Sequence, residues 1–158
     1  MFKIMFVCHG NICRSPMAEI IFREMIKKER LEGHVCVASS ATSEEEIWNG
    51  IGSPIYPPAA AELRRHGFEV SGRRAVKLQA DDLEKYDMFI GMDSMNVRNM
   101  RRILGVGSES KISKLMDYTS RGGDVADPWY SDRFDIAFHD IEDGCIGLLE
   151  KIKKEIRK

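Results

Sequence analysis

The chain opens on a short apolar run, FKIMFV (2–7), which gives way to a turn, CHGNICRSP (8–16), and then to MAEIIFREMIKK (17–28). The run is short and ends in turn chemistry, so it reads as a buried strand. Ser15 followed by Pro16 predicts an N-cap with proline at the first helical position. Ala18, Ile21, Phe22, Met25 and Ile26 then recur at i, i+3, i+4, i+7 and i+8, which is one face of a helix. A strand that feeds a helix through one tight turn is the first half of a strand–helix–strand unit, whose helix packs back onto a parallel sheet.

The rest of the chain repeats the alternation. HVCVAS (34–39) predicts a second strand, and AAAELRRHG (59–67) a helix whose glycine stands where a C-cap is wanted. YDMFIGM (86–92) is a third strand, SMNVRNMRRIL (94–104) a third helix, and KISKLM (111–116) a fourth strand. ATSEEEIWNGIGSPIYPP (41–58) and RGGDVADPWYSDR (121–133) have no usable period and read as loops. The last helix carries Phe134, Ala137, Phe138, Ile141, Cys145, Leu148, Leu149 and Ile152 on one stripe. Gly144 and Gly147 weaken it by up to about 1 kcal/mol each relative to alanine, so packing has to carry it. The expected architecture is α/β, a parallel sheet with helices on both faces, and ligands in such sheets sit outside the carboxyl ends of the strands. The turn at 8–16 lies at such an end.

At 158 residues, without repeats or linkers, the chain is expected to form a single domain over 1–158. A charged share of 31% and a net charge of −1 argue against a nucleic-acid partner, and basic pairs such as Arg64-Arg65 and Arg73-Arg74 read as solvated surface. No apolar stretch approaches the roughly 20 residues a membrane span needs, and the N-terminal run is too weak for a secretory leader. Four cysteines in a chain able to build its own core do not suggest a disulfide scaffold, so the cytoplasm is the expected compartment.

The first turn is suited to an anion. Gly10 permits positive φ and Asn11 is the next most tolerant residue type, so successive N–H groups can point inward, and the following helix adds its positive end. The nucleotide-binding loop G-x-x-x-x-G-K-[ST] is absent. In place of its lysine stands Arg14, a planar fork able to hold two phosphate oxygens. Cys8 lies at the base of the turn, where these surroundings favour a thiolate placed for in-line attack on a bound phosphate monoester. The competing interpretation of Cys8 is a buried core cysteine. Cys8-x₄-Cys13 beside His9 fits zinc spacings poorly and no second ligand pair follows, so no metal is expected. Cys36 and Cys145 read as core residues.

CHGNICRSPMAE resembles the active-site signature C-x₅-R-[ST]-P of the low-molecular-weight protein tyrosine phosphatase family. The resemblance continues in ATS (41–43), RRHG (64–67), GMDSMN (91–96) and DPWY (127–130), and so covers essentially the whole chain. It implies a flavodoxin-like three-layer fold with a four-stranded parallel sheet, and an enzyme needing no cofactor. It makes Cys8 the nucleophile that forms a phosphocysteine, Arg14 the phosphate clamp and Asp127 the general acid and base. His9, Gly10, Asn11, Ile12, Cys13 and Ser15 become the loop that binds the substrate phosphate, with the Ser15 hydroxyl on the thiolate. Ser39 and His66 become supports for Asn11, and Trp129 and Tyr130 the aromatic wall. The partners implied are phosphotyrosine-containing proteins, with inorganic phosphate or vanadate as inhibitors, acting on a monomer or weak homodimer.

Several of these assignments have plain alternatives. His66-Gly67 is an ordinary helix end, and six nearby acids compete with Asp127 on composition alone. Asp93 begins a helix and reads as a cap, outside the catalytic set. The acidic loop between Ser43 and Pro58 is longer than in animal relatives, and Trp48 or Tyr56 are candidates for a further aromatic wall. A protein-arginine phosphatase is the nearest alternative activity; Ile12 and Tyr130 favour phosphotyrosine over it. An arsenate reductase on the same scaffold needs two further clustered cysteines, and none lies between Cys36 and Cys145. Because the loop curls around a phosphate, Cys8 and Cys13 are expected to approach the Cα separation of roughly 4.4–6.8 Å that a disulfide needs, a route to reversible oxidation.

Overall fold

In the computed structural model, which describes residues 1–157, four parallel strands form the central sheet. They are β1 (Phe2–Cys8), β2 (Val35–Ala41), β5 (Met88–Gly91) and β6 (Ile112–Lys114), in the order β2-β1-β5-β6. The long strands pair in register over their whole length, from Phe2 opposite Val35 to Cys8 opposite Ala41. The chain leaves β1 for one neighbour and later returns on its other side. The order therefore reverses next to β1, and a crevice opens above its carboxyl end.

Side chains alternate across β1, and each face meets its own layer of helices. Ile4, Phe6 and Cys8 join the larger core with α1 (Arg14–Lys28), α2 (Pro57–Arg65) and α6 (Phe134–Ile156), including Met17, Phe22, Leu63, Phe138 and Leu148. Met5, Val7 and Phe89 face the other way, onto Met100 and Leu104 of α4 (Ser94–Leu104). This is the expected three-layer, flavodoxin-like arrangement.

Local chemistry explains most element ends. α4 is closed by a reciprocal capping box between Asp93 and Asn96. α2 ends in a Schellman motif, with the Gly67 and Phe68 amides returning to the Arg64 and Leu63 carbonyls and Gly67 at φ 86°. α6 carries its predicted stripe, and its two glycines have a positive use. A Cβ on Gly147 would lie 1.9 Å from the Tyr118 carbonyl oxygen, and one on Gly144 would lie 2.4 Å from Leu115 Cγ. The 3-10 turn Leu115–Tyr118 packs into the space those missing side chains leave.

Three segments hold short elements that sequence periodicity does not show. The 41–58 loop contains a small antiparallel hairpin, β3 (Ile47–Trp48) with β4 (Ile51–Gly52), turned through Asn49 and Gly50, both at positive φ as a type I′ turn requires. The 82–85 stretch forms a one-turn helix, α3 (Asp82–Lys85). Within the 121–133 loop Asp127 caps another, α5 (Pro128–Ser131), its carboxylate accepting from the Trp129 amide at 3.0 Å. Both helices are four residues long, below the span at which periodicity can be read.

Candidate active site

Cys8 reaches the site because it is the last residue of β1 on the α1 side of the sheet. Its backbone and that of His9 are held by the Thr42 and Ser43 amides, each at 3.0 Å, as the chain runs on from β2. The loop between Cys8 and Arg14 curls back so that the Asn11 amide donates to Cys8 Sγ at 3.3 Å. Ser15 Oγ lies 2.9 Å from the same sulfur. Ser15 Oγ also accepts from Asn11 Nδ2 at 2.8 Å, and because a thiolate can only accept, the hydrogen between Ser15 and an ionised Cys8 is the hydroxyl's. The sulfur thus receives two donors, the hydrogen bonding suited to a thiolate.

This corrects the expectation for Ser15. α1 begins two residues earlier, at Arg14, with Cys13 at the N-cap position and no side-chain cap bond. The Ser15 hydroxyl is withdrawn from the helix end because Cys8 and Asn11 use it. The positive φ also falls on Asn11, at 58°, and Gly10 has none. Asn11 tolerates the left-handed region, and its bonds hold it there. Its side chain donates to Ser15 and to Ser39 Oγ at 2.9 Å, and its Oδ1 accepts from Arg73 at 2.8 Å and the Val76 amide at 3.0 Å.

Arg73 belongs to a basic pair whose sequence predicts solvated surface; its side chain is only 14% exposed and packs behind Asn11. It donates to the Asn11 carbonyl at 3.1 Å and to Ser39 Oγ at 2.9 Å, and pairs with Glu19 at 3.3 Å. Ser39 Oγ, accepting from Asn11 and Arg73, gives its own hydrogen to Glu19. Burial lowers the Arg73 pKa, while the negative charges of Glu19 and Cys8 work against that fall. Ser39 is thus hydrogen-bonded to Asn11, whereas His66 lies elsewhere. His66 ends α2, bonds Glu62 at 2.9 Å and stacks on Phe138 with ring centroids 3.8 Å apart. Arg73 takes the supporting place. Glu19 had a sequence signal, an acid on the apolar face of α1 that demands a partner. Arg73 had none, because it lies outside any periodic element.

Arg14 is buried and its guanidinium is fixed from three sides. Nη1 donates to the Val125 carbonyl at 3.0 Å, and Nη2 lies 2.9 Å from Asp93 and 3.5 Å from Asp127. Burial works against its charge, but Cys8, Asp93 and Asp127 outweigh it and raise its pKa. Asp93 is thus more than a cap: one carboxylate oxygen holds the α4 amide of Asn96 and the other holds Arg14.

Trp129 and Tyr130 are exposed beside Asp127, and Tyr56 packs on Trp129 with ring centroids 5.3 Å apart. Trp48 is 73% exposed on the β3–β4 hairpin and has no ring partner among the described residues. His9 pairs with Glu45 at 3.0 Å, and Glu46 passes over Gly10, where a Cβ would meet its Cγ at 3.4 Å. Ile12 is buried, its carbonyl held by the Tyr56 amide at 2.7 Å. Cys13 is half-buried against the larger core, and burial, reinforced by Cys8, pushes its thiol pKa up despite Arg14. The geometry therefore places a sulfur with two hydrogen-bond partners at the start of the 8–15 loop and a guanidinium joined to two carboxylates near its end.

The sequence profile of the family described as "Low molecular weight phosphotyrosine protein phosphatase" matches residues 3–158. The chain is 38% identical over 157 residues to the low molecular weight protein-tyrosine-phosphatase YfkJ of Bacillus subtilis, covering 98% of each chain. It is 34% identical to the low molecular weight phosphotyrosine protein phosphatase of Schizosaccharomyces pombe, covering 95% of this chain and 96% of that one. The crystal structure of YfkJ superposes with a TM-score of 0.92 over 98% of this chain and 96% of that chain. A protein tyrosine phosphatase from Entamoeba histolytica, with Hepes in its active site, gives 0.89 at 25% identity, over 98% of this chain and 99% of that chain.

Proposed function

The chain belongs to the low molecular weight phosphotyrosine protein phosphatase family and is a hydrolase, and on that premise we propose that it removes phosphate from tyrosine in proteins by way of Cys8. The observation that carries the mechanism is that one buried guanidinium, Arg14, links the loop beneath which Cys8 lies to the Asp127 carboxylate 3.5 Å away.

The phosphoryl group sits in the loop 8–15 against Arg14, and the Cys8 thiolate attacks phosphorus in line. The S–P bond forms as the P–O bond to tyrosine breaks, and Asp127 gives its proton to the departing oxygen. The carboxylate then takes a proton from water, whose oxygen attacks phosphorus and releases Cys8 and inorganic phosphate. Ser15 and Asn11 stabilise the sulfur as an anion both before attack and as it leaves. Trp129, Tyr130 and Tyr56 supply the wall for an aromatic ring. No step needs a cofactor. This proposal takes residues 1–158 as a single domain acting in the cytoplasm, a monomer or weak homodimer inhibited by phosphate or vanadate. Among the described residues no helix is long and apolar enough to cross a membrane. Peptides carrying phosphotyrosine, phosphoarginine or phosphoserine test the substrate class, and preference for either of the latter two overturns it.

Asp127→Asn should lower kcat/KM by about 10²–10⁴-fold for aryl phosphates with poor leaving groups, and far less for those with good ones. A uniform loss across a leaving-group series removes Asp127 from the role of acid.

We propose also that peroxide oxidises the Cys8 thiolate to a sulfenic acid and that the Cys13 thiolate attacks that sulfur, the S–S bond forming as the S–O bond breaks and hydroxide leaves. Attack by Cys13 needs its thiolate, and its raised pKa makes that fraction grow as pH increases. After matched peroxide treatment, Cys8–Cys13 linkage seen by peptide mapping should form faster in alkaline than in slightly acid buffer. Cys13→Ser should recover a smaller share of its own starting activity with dithiothreitol than the wild type. Equal recovery would make Cys13 a packing residue only.

A further inference from the structure

The segment that presents Asp127 has no helix or strand between Arg121 and Asp127. It contains Gly122 and Gly123, both in the left-handed region at φ 62° and 87°, where neither has a Cβ to restrict it. Of its later residues, Val125 is tied to the sheet and to Arg14, through the Met92 carbonyl at 2.8 Å and Arg14 Nη1 at 3.0 Å. The Asp127 side chain meets the Trp129 amide and, at 3.5 Å, Arg14, and its carbonyl accepts from the Tyr130 and Ser131 amides. Apart from Arg14 these partners belong to α5 itself, so they do not tie the Asp127 backbone to the rest of the fold.

A carboxylate from another element closes the segment. Asp140 lies on the inner face of α6, its side chain 10% exposed. One oxygen pairs with Arg121 at 2.9 Å, just before the two glycines, and the other accepts from the Ala126 amide at 3.4 Å, just before Asp127. Arg121 is held at its other nitrogen by Asp143, one turn along α6, at 2.9 Å. The two ends of the glycine-containing stretch are thus stapled to a single side chain of the longest helix. A buried carboxylate without partners is costly, so Asp140 holds both ends in place as firmly as they satisfy it.

We propose that Asp140 is a positioning residue for the general acid, fixing the backbone from which Asp127 reaches the departing oxygen. This rests on the assignment of Asp127 above. Proton transfer demands the acid within hydrogen-bond reach of the leaving group, and a displacement of order 1 Å costs on the order of 10²-fold. The cost should fall only on substrates that need the proton.

The test is kcat/KM for a series of aryl phosphates of rising leaving-group pKa, measured for wild type, Asp140→Ala, Asp127→Asn and the double variant. Asp140→Ala should lose about ten- to a hundredfold on the poorest leaving groups and little on the best. In the Asp127→Asn background it should cost almost nothing further, since the acid it positions is gone. Arg121→Met, at a half-exposed side chain and with its folding checked by a melting curve, should show the same pattern more weakly. It decides the matter if Asp140→Ala fails to fold. A steep series for Asp127→Asn with a flat one for Asp140→Ala and Arg121→Met, or full additivity in the double variant, overturns the positioning role alone. A flat series for Asp127→Asn overturns the general acid itself, and this proposal with it.

Discussion

Replacing Cys8 with serine is expected to abolish turnover while leaving the loop able to bind phosphate. The sulfur accepts two hydrogen bonds, from the Asn11 amide and from Ser15, that no other side chain is placed to take over. A serine hydroxyl there stays protonated at neutral pH and has no base beside it, so it is a poor nucleophile. The loss should reach the scale of about 10⁶-fold that removal of a covalent nucleophile costs. Uncatalysed hydrolysis of phosphate monoesters is among the slowest reactions known, so no background rate can mask it. Arg14 and the loop amides remain, so vanadate or phosphate should still protect the variant against unfolding, by an amount that grows with ligand concentration. Substantial turnover by purified Cys8→Ser protein would exclude the phosphocysteine route.

The parts of the fold that were legible in the sequence are those where one element's own pattern decides the matter. β1 and α4 show this best. The apolar run before Cys8 could only be buried, and Ser94–Leu104 is bounded by its own capping box and by Gly105. The short elements α3, α5 and the β3–β4 hairpin escaped because four residues or fewer carry no period, although Asn49-Gly50 was a usable turn signal. Gly144 and Gly147 read as weaknesses in isolation. Their purpose is set by the Leu115–Tyr118 turn, which a helical wheel does not contain.

The site divides in the same way. Cys8, Asn11, Arg14 and Ser15 lie within one turn, so their chemistry shows in spacing alone. The residues that brace them come from far along the chain. Arg73 meets Asn11 across 62 positions, and its neighbours in sequence give no hint of burial. A histidine at a helix end resembled a better support, yet Glu62 and Phe138 had already satisfied His66. Asp93 was visible as a cap, and only the fold brings its second oxygen to Arg14. Local chemistry is written locally, while a buried polar network is specified by whichever elements the sheet order brings together.

Arg14→Lys, which preserves charge, is expected to be nearly as damaging as removing the charge outright. The guanidinium has five N–H donors in a rigid fork. Val125 takes one from Nη1 and Asp93 one from Nη2; Nε–H and the remaining Nη2 hydrogen, which meets Asp127 only at 3.5 Å, are then the pair that can hold two oxygens of a bound phosphoryl group. An ammonium has three donors on one atom. Satisfying the Val125 carbonyl and Asp93 leaves it a single hydrogen, so it cannot follow two equatorial oxygens into the transition state. If it turns to the phosphate instead, the buried Val125 carbonyl loses its partner, a penalty of about 1–3 kcal/mol. Either way kcat should fall by about 10²–10³-fold, the loss typical when a preorganised donor to transition-state charge is removed. The fall should be larger in kcat than in KM, because charge attraction for the ground-state phosphate survives. Thermal unfolding separates the two routes: a lowered Tm marks the orphaned carbonyl, and an unchanged Tm marks a lysine held by Val125 and Asp93 and lost to the substrate. Near-normal kcat/KM in this variant would reduce Arg14 to a strut between the loop and Val125.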